Sequence, residues 1–258
     1  FIIKRKIYFI LMNKLFIDNE KIILNNKNIL LRVDYNVPIN DNKITDTNRI
    51  DNTFETINFL FNNKKINNII ILSHLGRPKG KINYDYTLKP VYEYLKNKLS
   101  NKVFFNTLYN SFDFNKTNTN SILLLENIRF YPEEENKGSE EKINLFRKDL
   151  KKLADVFVND AFGTCHRDHC SIMGYGYDYK LGGLLIKKEL NELNKILSVP
   201  LRPFTCILGG AKVSDKIKLI YNMLDKVDNI LIGGGMAFTF LKIKNNYKIG
   251  KSLYDKDS

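Results

Sequence analysis

Apolar positions along the chain come in short runs, each followed by a polar loop and then by an amphipathic stretch, with no fixed-period repeat. Asn28–Val33, Asn68–Leu72, Ser121–Leu125 and Val156–Asn159 are mostly apolar runs of strand length. Between them, Ile50, Phe54, Ile57 and Phe61 recur at helical spacing, and Leu88–Leu99 and Lys142–Leu153 carry the same period. Unbroken apolar runs suit strands buried on both faces. Strands alternating with helices therefore predict an α/β fold: a parallel sheet with helices on both faces, a Rossmann-like three-layer sandwich.

The next stretch, Leu184–Leu197, places Leu185, Leu190, Leu193 and Leu197 in a helical stripe and stops before Pro200 and Pro203. Beyond it the alternation restarts, with strand Phe204–Leu208, helix Val213–Leu224 and strand Asn229–Ile232. The pattern divides the chain into an extension at 1–21, a first domain at 22–183, a linking helix at 184–199 and the start of a second α/β domain at 200–258. The molecule reads as two-lobed with the second lobe truncated, since roughly sixty residues are too few for a doubly wound domain to bury its own core. The chain begins on Phe. Phe1–Leu11, apolar but interrupted by Lys4, Arg5 and Lys6, is read as non-native sequence ahead of a start at Met12, with a targeting segment as the alternative.

Composition narrows the function only slightly. A hydrophobic fraction of 43% with 27% charged residues is ordinary for a globular protein, and no apolar run is long enough to span a bilayer. The net charge of +13 admits a nucleic-acid partner, a phosphorylated small substrate, or lysines that merely fill solvated loops such as Asn62–Asn68. The last covers most of the charge. No nucleic-acid motif is present, and the basic residues form no continuous run. Cys165, Cys170 and Cys206 are too few and odd in number for a disulfide framework, which fits a reducing compartment. Cys165 and Cys170 lie near His166 and His169, but the spacing is not that of a zinc finger and no second ligand pair follows, so no metal ligands are assigned.

Ligands of open parallel sheets bind outside the carboxyl ends of the strands. Asp34 and Asn36 follow the first run; Ser73, His74, Gly76, Arg77 and Pro78 the second; Glu126, Asn127 and Arg129 the third; Asp160, Gly163, Thr164, His166 and Arg167 the fourth. Arg49 opens the first helix. Singly, each is a turn residue or a surface arginine. Together they place arginines at one crevice in a chain whose usual base is lysine. The guanidinium fork suits phosphate and carboxylate, so the crevice calls for a small substrate bearing both. In the second unit, Gly209, Gly210, Ala211, Lys212, Val213, Ser214, Asp215 and Lys216 form a glycine turn from strand into helix, a device that aims N–H groups at an anion. Lys212 and Lys216, four apart, are expected on one helix face. Gly233, Gly234 and Gly235 make a second such turn; neither turn fits a Walker A or dinucleotide spacing.

These residues resemble the signatures of the phosphoglycerate kinase family. The matching segments are Arg32–Pro38, Ser73–Pro78, Glu126–Phe130, Phe157–Gly163, Gly209–Lys216 and Ile232–Phe240, in the family's order from about residue 22 onward. The resemblance implies reversible phosphoryl transfer between 1,3-bisphosphoglycerate and ADP in glycolysis, with Mg2+ entering as the metal–nucleotide complex. It implies that Asp34, Asn36, Arg49, His74, Arg77, Arg129 and Arg167 hold 3-phosphoglycerate, and that Gly210, Ala211, Lys212, Lys216 and Gly234 lie at the nucleotide. Arg49 and Lys212 would flank the transferred phosphoryl group, and the helix at 184–199 would be the link about which two lobes close. A cytoplasmic monomer is implied, with neither nucleic acid nor membrane as partner. The family's magnesium-binding acid and most of its adenosine pocket are expected beyond residue 258, so this chain reads as inactive alone. The alternative is a non-catalytic module that binds a phosphate ligand. Cys165, Asp168 and Cys170 depart from the family, which has small residues around its His-Arg pair.

Overall fold

The computed structural model describes residues 15–107 and 120–256; the extension read at Phe1–Leu11 and the start at Met12 lie outside them. Two compact units divide the chain, one up to Glu189 and the other from Leu190, and the division falls within the helix Leu184–Ser198.

In the first unit, β1 (Asn28–Arg32) is followed by a small antiparallel hairpin of β2 (Ile39–Asn40) and β3 (Lys43–Ile44). Then come β4 (Asn68–Leu72), β5 (Lys102–Asn106), β6 (Ser121–Leu125), β7 (Val156–Asn159) and β8 (Lys180–Gly182). Apart from the hairpin they form one six-stranded sheet, ordered β5-β6-β4-β1-β7-β8 and parallel at every pairing. Register places Leu31 beside Ile71 on one side and Val158 on the other. Successive strand residues point to opposite faces. Accordingly Ile29, Leu31, Ile69 and Ile71 enter one core with Ile57, Leu60, Val91 and Leu95 of the helices Phe54–Asn62 and Lys89–Lys98. Leu30, Ile70, Leu72 and Leu123 enter a second core with Ile143, Phe146 and Leu150 of the helix Glu140–Lys152. Helices thus cover both faces, as the apolar runs require.

The stripe from Ile50 to Phe61 is not one helix but two, Asn48–Asp51 and Phe54–Asn62. At the break the buried Thr53 hydroxyl donates to the Ile50 carbonyl at 2.7 Å and lies 2.8 Å from the Tyr35 hydroxyl. That local bond competes with the helical ladder.

The helix Leu184–Ser198 is rooted in the sheet. Asp160, just past β7, accepts from the Ile186 N–H at 2.9 Å and from the Thr56 hydroxyl at 2.6 Å, and Thr56 accepts from the Leu184 N–H at 3.0 Å. A Cβ on Gly183 would stand 2.3 Å from the Asp160 carboxyl carbon, so this close approach requires glycine. Burial pushes the Asp160 carboxyl up to about 6. Among the described side chains of this helix, Ile186 and Leu190, rather than Leu185 and Leu193, are the buried positions.

The second unit pairs β9 (Thr205–Gly209) with β10 (Asn229–Gly233) in parallel and adds the helices Ile217–Leu224 and Met236–Asn245. Leu208, Val213, Ile220 and Met236 form its core. The helix expected from Val213 begins only at Ile217. Val213 is turned into that core, the Ser214 N–H is held by Asp255 at 2.9 Å, and Lys216 N–H closes a turn onto the Val213 carbonyl at 2.8 Å.

Candidate functional site

In the sheet, β1 lies between β4 and β7. The chain leaves β1 toward β4 and leaves β7 toward β8, so the two connections part and open a crevice at their carboxyl ends. Asp34 sits there. Its Oδ2 lies 3.0 Å from Arg49 Nη1, and its Oδ1 accepts from the Asn36 N–H at 3.2 Å and stands 3.9 Å from His74 Nδ1. Gly163, beyond β7, backs directly onto Asp34. Asn36 accepts from the Gly76 N–H at 2.8 Å and so ties the loop after β1 to the loop after β4.

Cations converge on this crevice. Arg129 is 3% exposed. Its Nη1 donates to the Gly76 carbonyl at 2.8 Å, while its Nε and Nη2 are buried without a hydrogen-bond partner among the described residues. Glu135 lies 3.7 Å from Nε, too long for a hydrogen bond. Burial and then the neighbouring Arg167 disfavour the Arg129 cation. His74 is driven far below the ordinary imidazole value by burial, then by Arg32, Arg129 and Arg167. It is therefore neutral, and its approach to Asp34 is not an ion pair. His169 is pushed down to about 4 by burial and Arg129, and its Nδ1, 3.7 Å from Glu134 Oε1, has no hydrogen-bond partner among the described residues. A buried guanidinium with two unused donors, beside a second arginine and two neutral imidazoles, is short of negative charge. An incoming phosphate or carboxylate would supply it.

Glu126 and Asn127, also singled out at a strand end, hold backbone instead. Glu126 accepts from Thr87 Oγ1 at 2.6 Å and from the Leu88 N–H at 2.8 Å, ahead of the helix Lys89–Lys98. Asn127 donates to the carbonyls of Leu75 and Tyr86 at 2.7 and 2.9 Å. Arg77 is exposed, and among the described residues its side chain makes no hydrogen bond or ion pair. The crevice thus gathers Asp34, Asn36, Arg49, His74, Arg129 and Arg167, while Arg77 is exposed beside Gly76, whose backbone bonds Asn36 and Arg129.

Sequence reading did not single out Arg32, Ser171 and Glu134. Arg32 ends β1 with no exposure, donating from Nε to Ser171 Oγ at 2.8 Å, from Nη2 to His74 Nδ1 at 3.2 Å, and from Nη1 to the Val33 carbonyl. Glu134, equally buried, accepts from Ser171 through its hydroxyl at 2.6 Å and its N–H at 2.9 Å. Burial pushes Glu134 up to about 7 against the pull of Arg32. An arginine inside a fully buried strand is a legible signal, since a charge there demands partners. Glu134 gives none, because Glu133-Glu134-Glu135 reads as a solvated acidic run.

In the second unit the two glycine turns meet. Gly234 adopts φ +69°, and a Cβ there would lie 2.9 Å from the Gly210 carbonyl oxygen. The Met236 N–H donates to that oxygen at 2.9 Å. The stem of Lys216 lies across Gly210, where a Cβ would meet Lys216 Cε at 2.9 Å. Lys212 is exposed in the turn. Because the helix begins at Ile217, Lys212 and Lys216 do not share a helix face; Ala211, Lys212 and Lys216 belong to the turn itself.

A profile of the phosphoglycerate kinase family matches residues 19–258. The chain belongs to the phosphoglycerate kinase family. It is 52% identical to the phosphoglycerate kinase of Plasmodium falciparum over 95% of this chain and 62% of that protein. It is 47% identical to human phosphoglycerate kinase 1 over 96% of this chain and again 62% of the relative. The solved phosphoglycerate kinase of Coxiella burnetii superposes with a TM-score of 0.77 at 37% identity, covering 94% of this chain and 60% of that one. The chain therefore spans about 62% of the length of the curated relatives it matches.

Cys165 is buried with its thiol on the Ala161 carbonyl at 3.4 Å, and Cys170 with its thiol on the Glu133 carbonyl at 3.2 Å. Asp168 is exposed, and its charge is felt by Arg147 and Cys170. Among the described residues no group of three or more His, Cys, Asp and Glu side chains forms a metal site, and no helix is long and apolar enough to cross a membrane.

Proposed function

We propose that the protein is a phosphoglycerate kinase whose first unit binds 3-phosphoglycerate and whose second unit contributes to the nucleotide site. The observation that carries this reading is Arg129, buried at the carboxyl end of β6 with two guanidinium nitrogens unpartnered. Such a group is tolerated where a ligand anion completes it. His74 and Arg167 share the phosphate end with it, and Asp34 and Asn36 face the hydroxyl and carboxylate end. Arg77, exposed beside Gly76, would reach the phosphate from outside.

The reaction asks little covalent chemistry of the protein. The acyl phosphate bond to the glycerate carboxyl breaks as a bond forms to a terminal oxygen of ADP, and the work is positioning and charge stabilisation. Arg49, half-exposed and lightly held by Asp34, supplies a movable cation for the transferring group. Lys212, exposed in its turn, is the counterpart on the nucleotide side. The glycine turns, with Gly210 against Gly234, let backbone approach closely at a strand-to-helix turn, a setting suited to nucleotide phosphates. Magnesium would enter as the metal–nucleotide complex, bridging the phosphates whose charge it neutralises. The activity belongs to a glycolytic, cytoplasmic and monomeric enzyme.

The test is calorimetric titration of the chain with 3-phosphoglycerate, with Arg129→Ala as control. Saturable binding at millimolar concentration or below, lost in the control, is the expected result. A folded chain without binding overturns the reading. Saturable binding without turnover even in a chain extended beyond residue 258, in an assay supplied with ADP and 1,3-bisphosphoglycerate, reduces it to a phosphate-ligand module.

A further inference from the structure

We propose that Glu134 and Ser171 are a positioning pair that acts through the buried Arg32 guanidinium to fix the tautomer and orientation of His74. The proposal rests on the reading of this crevice as a phosphate-ligand site, and it concerns residues that do not touch the ligand. The chain of contacts is unbroken and runs through four elements. Glu134 lies on the turn Pro132–Glu135, Ser171 on the helix Cys170–Met173, Arg32 at the end of β1 and His74 beyond β4. Ser171 gives its hydroxyl proton to Glu134 at 2.6 Å, which leaves a lone pair to accept from Arg32 Nε at 2.8 Å. Arg32 Nη1 is occupied by the Val33 carbonyl, so Nη2 is aimed at His74 Nδ1, 3.2 Å away.

A guanidinium is a planar fork, and fixing one nitrogen fixes the direction of the others. A donor held against Nδ1 requires that ring nitrogen to accept, and the imidazole proton then sits on Nε2. His74 is thereby a neutral hydrogen-bond donor that presents N–H to an anion. Its neutrality is enforced by burial and the surrounding cations. Glu134 also balances Arg32, which otherwise would be a buried charge beside Arg129 and His74. Were the pair only internal packing, its removal would lower stability and leave the state of His74 untouched.

The experiment uses the full chain labelled with nitrogen-15. Long-range proton–nitrogen correlation spectra read the protonation of each ring nitrogen, with His74→Gln to assign the signals. Wild type is expected to show His74 with a bare Nδ1 and a protonated Nε2; a protonated Nδ1 overturns the proposal without any variant. Ser171→Ala and Glu134→Gln are then compared, each checked for folding by circular dichroism. Both are expected to show His74 as a tautomer mixture and to bind 3-phosphoglycerate about tenfold more weakly, the scale of one charge-assisted hydrogen bond. Folded variants that keep the wild-type His74 tautomer overturn the proposal, whatever their affinity. If wild type itself binds no 3-phosphoglycerate, the reading of the site fails. The tautomer comparison still decides whether the pair positions His74.

Discussion

Arg49 Nη1 lies 3.0 Å from Asp34 Oδ2, in an ion pair whose arginine side chain is 54% exposed. A pair this open to water contributes little to stability, on the order of 0–1 kcal/mol, because solvent screens it. Arg49→Ala is expected to leave the urea midpoint close to wild type while weakening 3-phosphoglycerate binding in the calorimetric titration. A large fall in midpoint would mean that Arg49 is structural.

Arg129 behaves in the opposite way. Its Nε and Nη2 are buried without a hydrogen-bond partner among the described residues, and Glu135 at 3.7 Å from Nε is the carboxylate in ion-pair range, so the ligand-free protein carries an incompletely compensated charge. Arg129→Met is expected to lose less than about 1 kcal/mol of ligand-free stability, since an apolar isostere removes that desolvation cost. Saturating 3-phosphoglycerate should raise the stability of wild type by mass action and leave Arg129→Met unmoved. Urea unfolding with and without ligand separates the two.

Burial raises Asp160 to about 6 from an ordinary value near 3.8. A folded-state value above the unfolded one makes a contribution that is complete below pH 3.8 and lost as pH rises through 6. His169, lowered to about 4 from 6.5, runs the other way: its contribution is present above 6.5 and lost as pH falls through 4. The two slopes oppose each other between these limits. Asp160→Asn should steepen the loss of stability on acidification by about 2 kcal/mol, and His169→Gln should lessen it. Unfolding free energies at pH 4.5 and 7.5 check both signs.

The positions that sequence pattern located best are those buried on both sides. β4, β6 and β7 begin and end where their apolar runs do, because a central parallel strand has no polar face to blur it. The edge strands β5 and β8 were not legible. Lys102–Asn106 opens and closes on polar residues, and Lys180–Gly182 is three residues long with a glycine. The site was legible as residue types at strand ends, where Arg129 and His74 stand out from a lysine-rich background. Their supports were not: Glu134 acquires its role only when the fold carries it to Ser171, far along the chain.

Cysteine reactivity should follow burial. Cys165, its thiol raised to about 11, and Cys170, also raised, are buried, whereas Cys206 is only half-buried. Thiolate is the reactive form. A disulfide reagent is expected to modify Cys206 first in the native chain and all three cysteines in urea. Mass mapping of the first labelled site decides it.

Asp255 holds the turn that carries Lys212 and Lys216 by accepting from the Ser214 N–H at 2.9 Å, and its own N–H donates to Thr239 Oγ1 at 3.0 Å. Asp255→Ala should cost the second unit about 1–2 kcal/mol and speed hydrogen exchange at Ser214. Unchanged exchange there would show that the turn holds itself.

The anchoring of Leu184 and Ile186 by Thr56 and Asp160 has a mechanical consequence. A rod fixed at its root transmits torque but does not pivot there. The first turn of this helix moves with the carboxyl edge of β7, so any flexing is displaced beyond Leu190, where the side chains of 191–196 face water.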